Sequence, residues 1–196
     1  LSSPEIDNDS RDDLLRTSLI DMDSAIQDST IQRPELAGMG TTFTSFHLTG
    51  DQLSLLHIGD SRAYRIRGKK IAQLSHDHTV VQELIDQGRI TPDEVADHPQ
   101  RSFLTQALMG KMNIDPILHK FPIEIGDIYF VCSDGLTNVV DEGKILAAFS
   151  ENLQDSVNSL IDLTYKNGAP DNVTVVAARI GETKAELPIT FIGAAQ

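Results

Sequence analysis

Three aspartates, Asp60, Asp134 and Asp171, lie where an apolar run of the sequence adjoins a turn. A residue at the end of a β-strand has a fixed backbone, so a carboxylate there can be held in one direction. If the three side chains converge, they repel one another; two carboxylates about 5 Å apart repel by about 3 kcal/mol at an effective dielectric constant of about 20. A cation relieves such repulsion, and ligand sets made only of oxygen select hard ions such as Mg²⁺ or Mn²⁺. The three positions therefore predict a site for divalent cations.

Each of these aspartates also has a purely structural interpretation. Asp134 precedes a glycine and fits a plain turn with a helix-capping aspartate. Asp171 follows a proline and fits the start of a strand. Asp60 is two residues from Arg62 and fits an ion pair with it, which does not exclude metal binding. Because Asp-Gly and Asp-Asn are common turn dipeptides, no single one of these positions identifies a site.

The composition favours one globular domain that does not bind nucleic acid. The chain has 196 residues, of which 40% are hydrophobic, enough for a substantial core. Lys and Arg number 16 against 29 Asp and Glu, giving a net charge of −13. Since no basic stripe exists to replace counterions on phosphates, nucleic-acid binding is disfavoured. No run of residues is long enough for a membrane span, and the expected location is the cytoplasm.

The cysteine and the histidines do not suggest a second kind of site. Cys132 is the single cysteine, which excludes an internal disulfide framework, and its apolar surroundings predict a buried, unreactive thiol. His57, His76, His78 and His98 do not have the spacing of a standard zinc site. We expect these four histidines to be structural or exposed.

The first half of the chain predicts a helix followed by strands. Apolar residues at helical spacing predict an amphipathic helix over residues 11–30: Leu15, Leu19, Met22 and Ile26. Runs typical of strands, separated by turns, follow at 41–48, 53–58, 63–67 and 70–74. These four strands are predicted to form one antiparallel meander.

The second half of the chain interrupts this sheet and then returns to it. Residues 79–110 predict a flap with two short helices, the second starting with a capping box between Thr91 and Glu94. Further strands are predicted at 115–121, 128–133 and 172–180, helices at 141–149 and 154–167, and a tail at 182–196. The order of elements indicates an α+β protein with stacked antiparallel sheets.

Four motifs in order carry a family resemblance: residues 38–42, 57–62, 131–136 and 168–174. Together with the flap residues 86–102, they resemble the metal-dependent serine/threonine protein phosphatases of type 2C, in particular the actinobacterial form. The resemblance runs from about residue 12 to residue 180 and implies one domain over residues 1–181. The implied fold has two antiparallel sheets packed face to face with helices outside, a four-layer αββα sandwich.

The resemblance also implies roles for individual residues. Asp134 and Asp171 match aspartates that hold two catalytic Mn²⁺ or Mg²⁺ ions. Asp60 matches an aspartate that shares a third ion with Asp134, and Ser102 matches a flap serine at that third site. A serine in such a flap also serves simply as a cap. The two ions would produce a hydroxide that attacks the phosphorus of a phosphoserine or phosphothreonine in line.

The activity implied by the resemblance is dephosphorylation of proteins, opposing bacterial serine/threonine kinases in signalling. A phosphorylated anti-sigma-factor antagonist is an alternative substrate, and a non-catalytic phosphatase-like binding module is an alternative class. Expected partners are phosphorylated proteins and serine/threonine kinases, and a monomer is expected.

Some motifs of the family have no match in this chain. These are an early arginine, an Asn-Glu-Asp or Asn-Gln-Asp run, and an Asp-Gly-Met-Gly-Gly-His segment. We therefore expect the 196 residues to be part of a larger catalytic domain, inactive by themselves, with unpaired sheet edges where further strands belong. A tether to the membrane in the full-length protein is a further expectation.

Overall fold

Two antiparallel sheets form the centre of the computed structural model, which describes residues 8–111, 114 and 116–182. The first sheet has the order β1-β2-β5, with β1 at Phe43–Thr49, β2 at Gln52–Ile58 and β5 at Ile117–Pro122. The second has the order β4-β3-β6-β7, with β3 at Arg62–Arg67, β4 at Lys70–Gln73, β6 at Ile128–Cys132 and β7 at Val175–Arg179. The predicted α+β class with two antiparallel sheets is confirmed.

Five α-helices accompany these sheets in the described residues: α1 (Asn8–Gln32), α2 (Val80–Asp86), α3 (Asp134–Thr137), α4 (Glu142–Ala148) and α5 (Leu153–Lys166). Short 3₁₀ turns occupy Pro34–Leu36 and Pro92–Glu94. No helix in the described ranges is long and apolar enough to cross a membrane. The tail predicted for 182–196 lies, beyond its first residue, outside the described residues.

The four strands of the first half do not form one meander, so that prediction is wrong. β1 pairs with β2 in one sheet and β3 pairs with β4 in the other. The chain changes sheets at Gly59, whose φ of 108° favours glycine, and a Cβ there would overlap the side chain of Thr42. β2 is instead a central strand between β1 and β5, which explains its nearly continuous burial.

Helix α1 covers the first sheet through one apolar cluster. Leu19 and Leu108 are buried there with Leu56 and Ile58 of β2. The predicted helix is confirmed, but Met22, expected on its apolar face, is 41% exposed. The neighbouring Asp23 is buried instead. Its carboxylate accepts hydrogen bonds from the backbone N–H groups of residues 109 and 110, at 2.8 and 2.7 Å, which ties the end of the flap segment to α1.

Helices α3 to α5 supply the outer layer on the second sheet. Their buried Leu136, Ile145 and Leu160 pack in one cluster with strand residues that include Tyr64 and Phe130. Between the sheets, Phe46 of β1 meets Tyr129 of β6 edge to face, with ring centroids 5.5 Å apart. Helix, sheet, sheet and helix therefore follow one another as layers.

Most of the predicted helices are present, but the second predicted helix of the flap is not. The predicted capping box at Thr91 and Glu94 is present, although it starts only a 3₁₀ turn. Predicted helices at 141–149 and 154–167 correspond to α4 and α5, and α3 was not predicted. The strand predicted at 115–121 is observed as β5, and residue 115 itself lies outside the described residues. The last strand begins at Val175, three residues later than predicted from 172.

An ion pair between Arg67 and Asp127 links β3 to the turn before β6. The buried Asp127 accepts hydrogen bonds from Arg67 Nε at 2.7 Å and Nη2 at 2.6 Å, from Glu124 N at 2.9 Å and from the Tyr129 hydroxyl at 3.0 Å. Burial alone would raise the pKa of Asp127, but these hydrogen bonds outweigh it and the pKa is lowered. Its ionised form therefore stabilises the folded state more than the unfolded one.

We expect the free energy of unfolding to fall as the pH decreases through and below about 4, the ordinary pKa of an aspartate. The stability from Asp127 is fully present above that value and is lost as the carboxyl group is protonated in the folded state. Denaturant unfolding from pH 7 down to pH 3 measures this. Asp127→Asn should flatten the pH dependence, whereas Asn at the exposed Asp51 should leave it unchanged; equal slopes for both variants would contradict this assignment.

Candidate metal site at one edge of the second sheet

Three strand ends of the second sheet meet at one edge. In the antiparallel register, Arg62 at the start of β3 pairs with Cys132 at the end of β6, and Cys132 pairs with Val175 at the start of β7. The turns that precede β3, follow β6 and precede β7 therefore leave the sheet on the same side. These turns contain the three predicted aspartates, Asp60, Asp134 and Asp171.

The turns that carry Asp134 and Asp171 are in direct contact. A Cβ built on Gly135 would overlap the carbonyl oxygen of Asn172, so only glycine fits this approach. Ser133 N donates to Thr174 O at 3.1 Å, Thr174 N donates to Ser133 Oγ at 3.1 Å, and Ser133 Oγ donates to Asn172 O at 3.2 Å. These contacts hold the residues next to both aspartates together.

Asp60 lies within electrostatic range of Asp134. Burial raises the pKa of the Asp60 carboxyl group, and the negative charge of Asp134 raises it further, with Asp77 adding to the effect. The charge of Arg62 opposes this only in part, because Arg62 forms its ion pair with Asp77, at 2.7 Å, rather than with Asp60. Negative charge at this position is thus incompletely compensated by the protein.

The purely structural interpretations, a capping turn for Asp134 and a strand start for Asp171, do not fully describe these two residues. Asp134 is the first residue of α3, while Ser133 occupies the N-cap position. Asp134 Oδ2 accepts a hydrogen bond from Asn138 Nδ2 at 3.0 Å. Asp171 is exposed in the loop before β7, four residues from the start of that strand at Val175. A polar cleft of about 710 Å³ lies beside it. At this edge Asp171 is thus exposed and Asp134 half-buried.

The backbone before Asp171 is strained. Ala169 has a φ of 38°, in the left-handed region that non-glycine residues seldom adopt. The hydrogen bond from Ala169 N to Thr164 O at 3.0 Å continues the end of α5 into this conformation. The loop is therefore directed by the helix end that precedes it.

The flap that carries Ser102 is attached close to Asp60. Thr79 forms an isolated bridge with Leu104, and His78 N donates to Gly59 O at 2.8 Å, one residue before Asp60. Ser102 itself is exposed, two residues before the bridge. The structure brings the base of the flap to the Asp60 turn, and the role of Ser102 as a metal ligand stays a prediction.

The aspartates share an edge without forming a complete ligand cluster. Within residues 8–111, 114 and 116–182, no three or more His, Cys, Asp or Glu side chains are grouped so that they could hold a metal ion. The donor chemistry nevertheless fits a hard cation, since the carboxylates supply only oxygen and the pKa of Asp60 responds to the charge of Asp134. Metal binding by Asp60, Asp134 and Asp171 stays a prediction.

Two other titratable residues near this edge, Cys132 and His57, are buried. Burial raises the pKa of the Cys132 thiol to about 12, in agreement with the predicted unreactive cysteine. His57 is buried between Thr44 Oγ1 and the carbonyl of His76, and burial lowers its pKa to about 4. Asp77, in the short segment after β4, forms an ion pair with Arg62 and was not predicted from the sequence. The polar composition of this segment, at the entrance to the flap, was the available signal.

Comparison with known proteins assigns the chain to a family. The family model described as Protein phosphatase 2C matches residues 2–84. The chain is 44% identical over 158 residues to the serine/threonine protein phosphatase PstP of Mycobacterium tuberculosis, covering 80% of this chain and 30% of that protein. The crystal structure of the M. tuberculosis phosphatase has a TM-score of 0.78 at 43% identity, covering 82% of this chain and 68% of that one.

A crystal structure of the PstP catalytic domain in complex with two manganese ions is also similar, with a TM-score of 0.75 and 41% identity over 82% of this chain and 67% of that one. Identity at this level, together with the two-sheet fold, shows that the chain belongs to the protein phosphatase 2C family. The chain spans 30% of the length of PstP, so the activity, substrates and partners of the whole protein are matters for proposal.

Proposed function

We propose that the protein containing this chain hydrolyses phosphoserine and phosphothreonine in other proteins with the help of Mn²⁺ or Mg²⁺. The observation that carries this proposal is the meeting of the Asp60, Asp134 and Asp171 turns at one sheet edge in a member of this family. The two manganese ions in the similar PstP catalytic domain support it, and the phosphatase names of the relatives favour catalysis over a binding module.

In this proposal the three aspartates are ligands of different cations. Asp134 and Asp171 would hold the two catalytic ions, and Asp60 would share a third ion with Asp134, near the flap residue Ser102. When bound, a pair of such ions lowers the pKa of a water molecule and neutralises charge that develops on the phosphoryl group. The contact between the Gly135 and Asn172 turns fixes the separation of Asp134 and Asp171, so the protein supplies positioning as well as charge.

The domain in this proposal comprises residues 1–181, with a flap at 79–110, and its substrates are phosphorylated proteins. We place the activity in the cytoplasm, where it would oppose serine/threonine kinases in signalling. The exposed flap, beside the predicted third metal, is the part of the chain best placed to contact a peptide next to its phosphate. A monomer is part of this proposal, since all three of these aspartates come from one chain.

The direct experiment is a phosphatase assay of the full-length protein on a phosphoserine or phosphothreonine peptide. We expect phosphate release in Mn²⁺ and its loss in EDTA, with recovery when Mn²⁺ is restored. Rates that are equal in Mn²⁺ and EDTA would refute the proposed function. A phosphotyrosine peptide of the same sequence serves as the control for substrate class.

Asp60→Ala should weaken a third ion without removing the first two. We expect the Mn²⁺ concentration for half-maximal rate to rise about tenfold, about 1.4 kcal/mol, with a smaller change in the rate at saturating Mn²⁺. A Mn²⁺ titration of the phosphatase rate measures both quantities. Asp51→Ala, in the exposed β1–β2 turn, is the control; if the Asp60 variant follows the same titration curve, Asp60 holds no functional ion.

A further inference from the structure

Two hydrogen bonds join the backbone of Gly59 to His78. Gly59 N donates to His78 Nδ1 at 3.0 Å, and His78 N donates to Gly59 O at 2.8 Å. Gly59 directly precedes Asp60, so both of its polar backbone groups are held by one residue of another segment. The direction in which the chain enters Asp60 therefore depends on His78.

The segment that carries His78 is itself fixed from several sides. Asp77 accepts hydrogen bonds from Arg62 Nε at 2.8 Å and from Gln73 Nε2 at 2.9 Å. The His57 ring stacks on the His78 ring, with centroids 5.1 Å apart and an angle of 18° between the planes. Because these partners belong to β2, β3 and β4, His78 is mounted on the sheets rather than on a mobile loop.

The same segment holds both ends of the flap. Val80 N donates to Phe103 O at 2.9 Å, and Thr105 N donates to His78 O at 2.9 Å. His78 therefore uses its backbone oxygen for the returning end of the flap and its ring nitrogen for the Asp60 turn. One residue connects the two parts of the chain that are predicted to share a third metal ion.

We propose that His78 is a positioning residue, whose Nδ1 holds the Gly59 amide and so aligns the Asp60 carboxylate with the base of the flap. This inference rests on the proposed function, and it adds a residue that is neither a metal ligand nor in contact with substrate. Acceptance at Nδ1 requires a neutral ring with its proton on Nε2. Burial, with the charge of His76 next, lowers the pKa of His78 despite Asp77 and Glu83, which favours that neutral form.

A pair of substitutions separates the hydrogen bond from the other contacts of the ring. In His78→Asn the side-chain oxygen lies close to the position of Nδ1 and can accept from Gly59 N. In His78→Gln the oxygen lies closer to the position of Nε2 and cannot do so without moving the chain. Both variants lose the aromatic stacking on His57, so a larger effect of Gln than of Asn reports the loss of the acceptor.

The measurements are Mn²⁺ binding by calorimetry, amide hydrogen exchange at Gly59, and the phosphatase rate, all on the full-length protein. In His78→Gln we expect the weakest Mn²⁺ site to lose about tenfold in affinity and the Gly59 amide to exchange about tenfold faster, since the N–H of the buried Gly59 has lost its partner. His78→Asn should keep both quantities within about twofold of wild type. At saturating Mn²⁺, kcat should change less than the Mn²⁺ requirement in both variants.

Identical Mn²⁺ affinities in the two variants would overturn the positioning role, whether or not the protein proves to be a phosphatase. If the two variants differ in Mn²⁺ affinity as predicted but the wild-type protein releases no phosphate, the proposed function is refuted and the positioning role is not. If His78→Gln does not fold, nitrogen–nitrogen coupling across the Gly59–His78 hydrogen bond in the wild-type NMR spectrum decides the matter, because its absence shows that the bond is not formed.

Discussion

Replacing Asp134 with asparagine is expected to reduce the phosphatase rate of the full-length protein at least about a hundredfold, the scale found when one charge-stabilising group is removed from an active site. In the proposed site, Asp134 is a ligand of the catalytic ions and also of the third ion. Asparagine keeps the size and the contact with Asn138 but removes the negative charge. The loss should therefore appear in metal-dependent catalysis with little change in unfolding.

Asp141→Asn is the matched control for this experiment. Asp141 also begins a helix, as the N-cap of α4, where its carboxylate accepts from Lys144 N. Asparagine caps helices about as well as aspartate does, so the control removes the same charge in a similar local setting. Full activity in Asp134→Asn, or an equal loss in Asp141→Asn, would remove Asp134 from the proposed site.

Gly135→Ala is expected to lower the free energy of unfolding by about 3 kcal/mol and to abolish metal-dependent activity at the same time. The added methyl group would overlap the carbonyl oxygen of Asn172, which is backbone and cannot rotate away. The turns that carry Asp134 and Asp171 would have to separate. Denaturant unfolding and the Mn²⁺ titration of the phosphatase rate measure the two consequences.

Gly143→Ala is the matched control for the glycine. Gly143 lies in helix α4, where an added Cβ would meet only the end of the Asp141 side chain, at 3.2 Å. Alanine favours a helix more than glycine does, so we expect stability to be unchanged or raised by up to about 1 kcal/mol. If Gly135→Ala behaves like this control, the two turns are not held together as the structure indicates.

The parts of the fold that the sequence predicted correctly depend on neighbours along the chain. The capping box at Thr91 and Glu94 spans only a few residues, and so do the turns between β1 and β2 and between β3 and β4. Periodicity placed α1 and its apolar residues Leu15, Leu19 and Ile26 correctly, but Met22 is exposed. Asp23 is buried instead, where its carboxylate accepts from backbone groups at residues 109 and 110. Local patterns carry no information about such distant partners.

The division of the strands between two sheets was not predictable from local signals. β2 pairs with β5, in a register that joins Gln52 to Pro122, and nothing near either strand specifies that choice. The same limit applies to the candidate site. The turn positions suggested Asp60, Asp134 and Asp171 individually, whereas their common edge follows from the pairing of Arg62 with Cys132 and of Cys132 with Val175.

The contribution of His78 was missed for a related reason. The spacing of the histidines excluded a zinc site and predicted that they are structural or exposed, but it did not indicate which groups His78 contacts. The hydrogen bond between Gly59 N and His78 Nδ1 joins residues 59 and 78 across the change of sheet, and it becomes visible only once β2 and the flap base are placed. A residue that acts through backbone groups has no sequence motif of its own.

Diffraction from crystals of the full-length protein grown with Mn²⁺, measured for anomalous scattering, tests the central claim most directly. We expect anomalous peaks at the edge of the second sheet, about 2.0–2.6 Å from carboxylate oxygens of Asp134 and Asp171, with a weaker peak near Asp60. In Asp134→Asn crystals these peaks should fade. Strong peaks elsewhere on the protein, with none at this edge in the presence of excess Mn²⁺, would contradict the account.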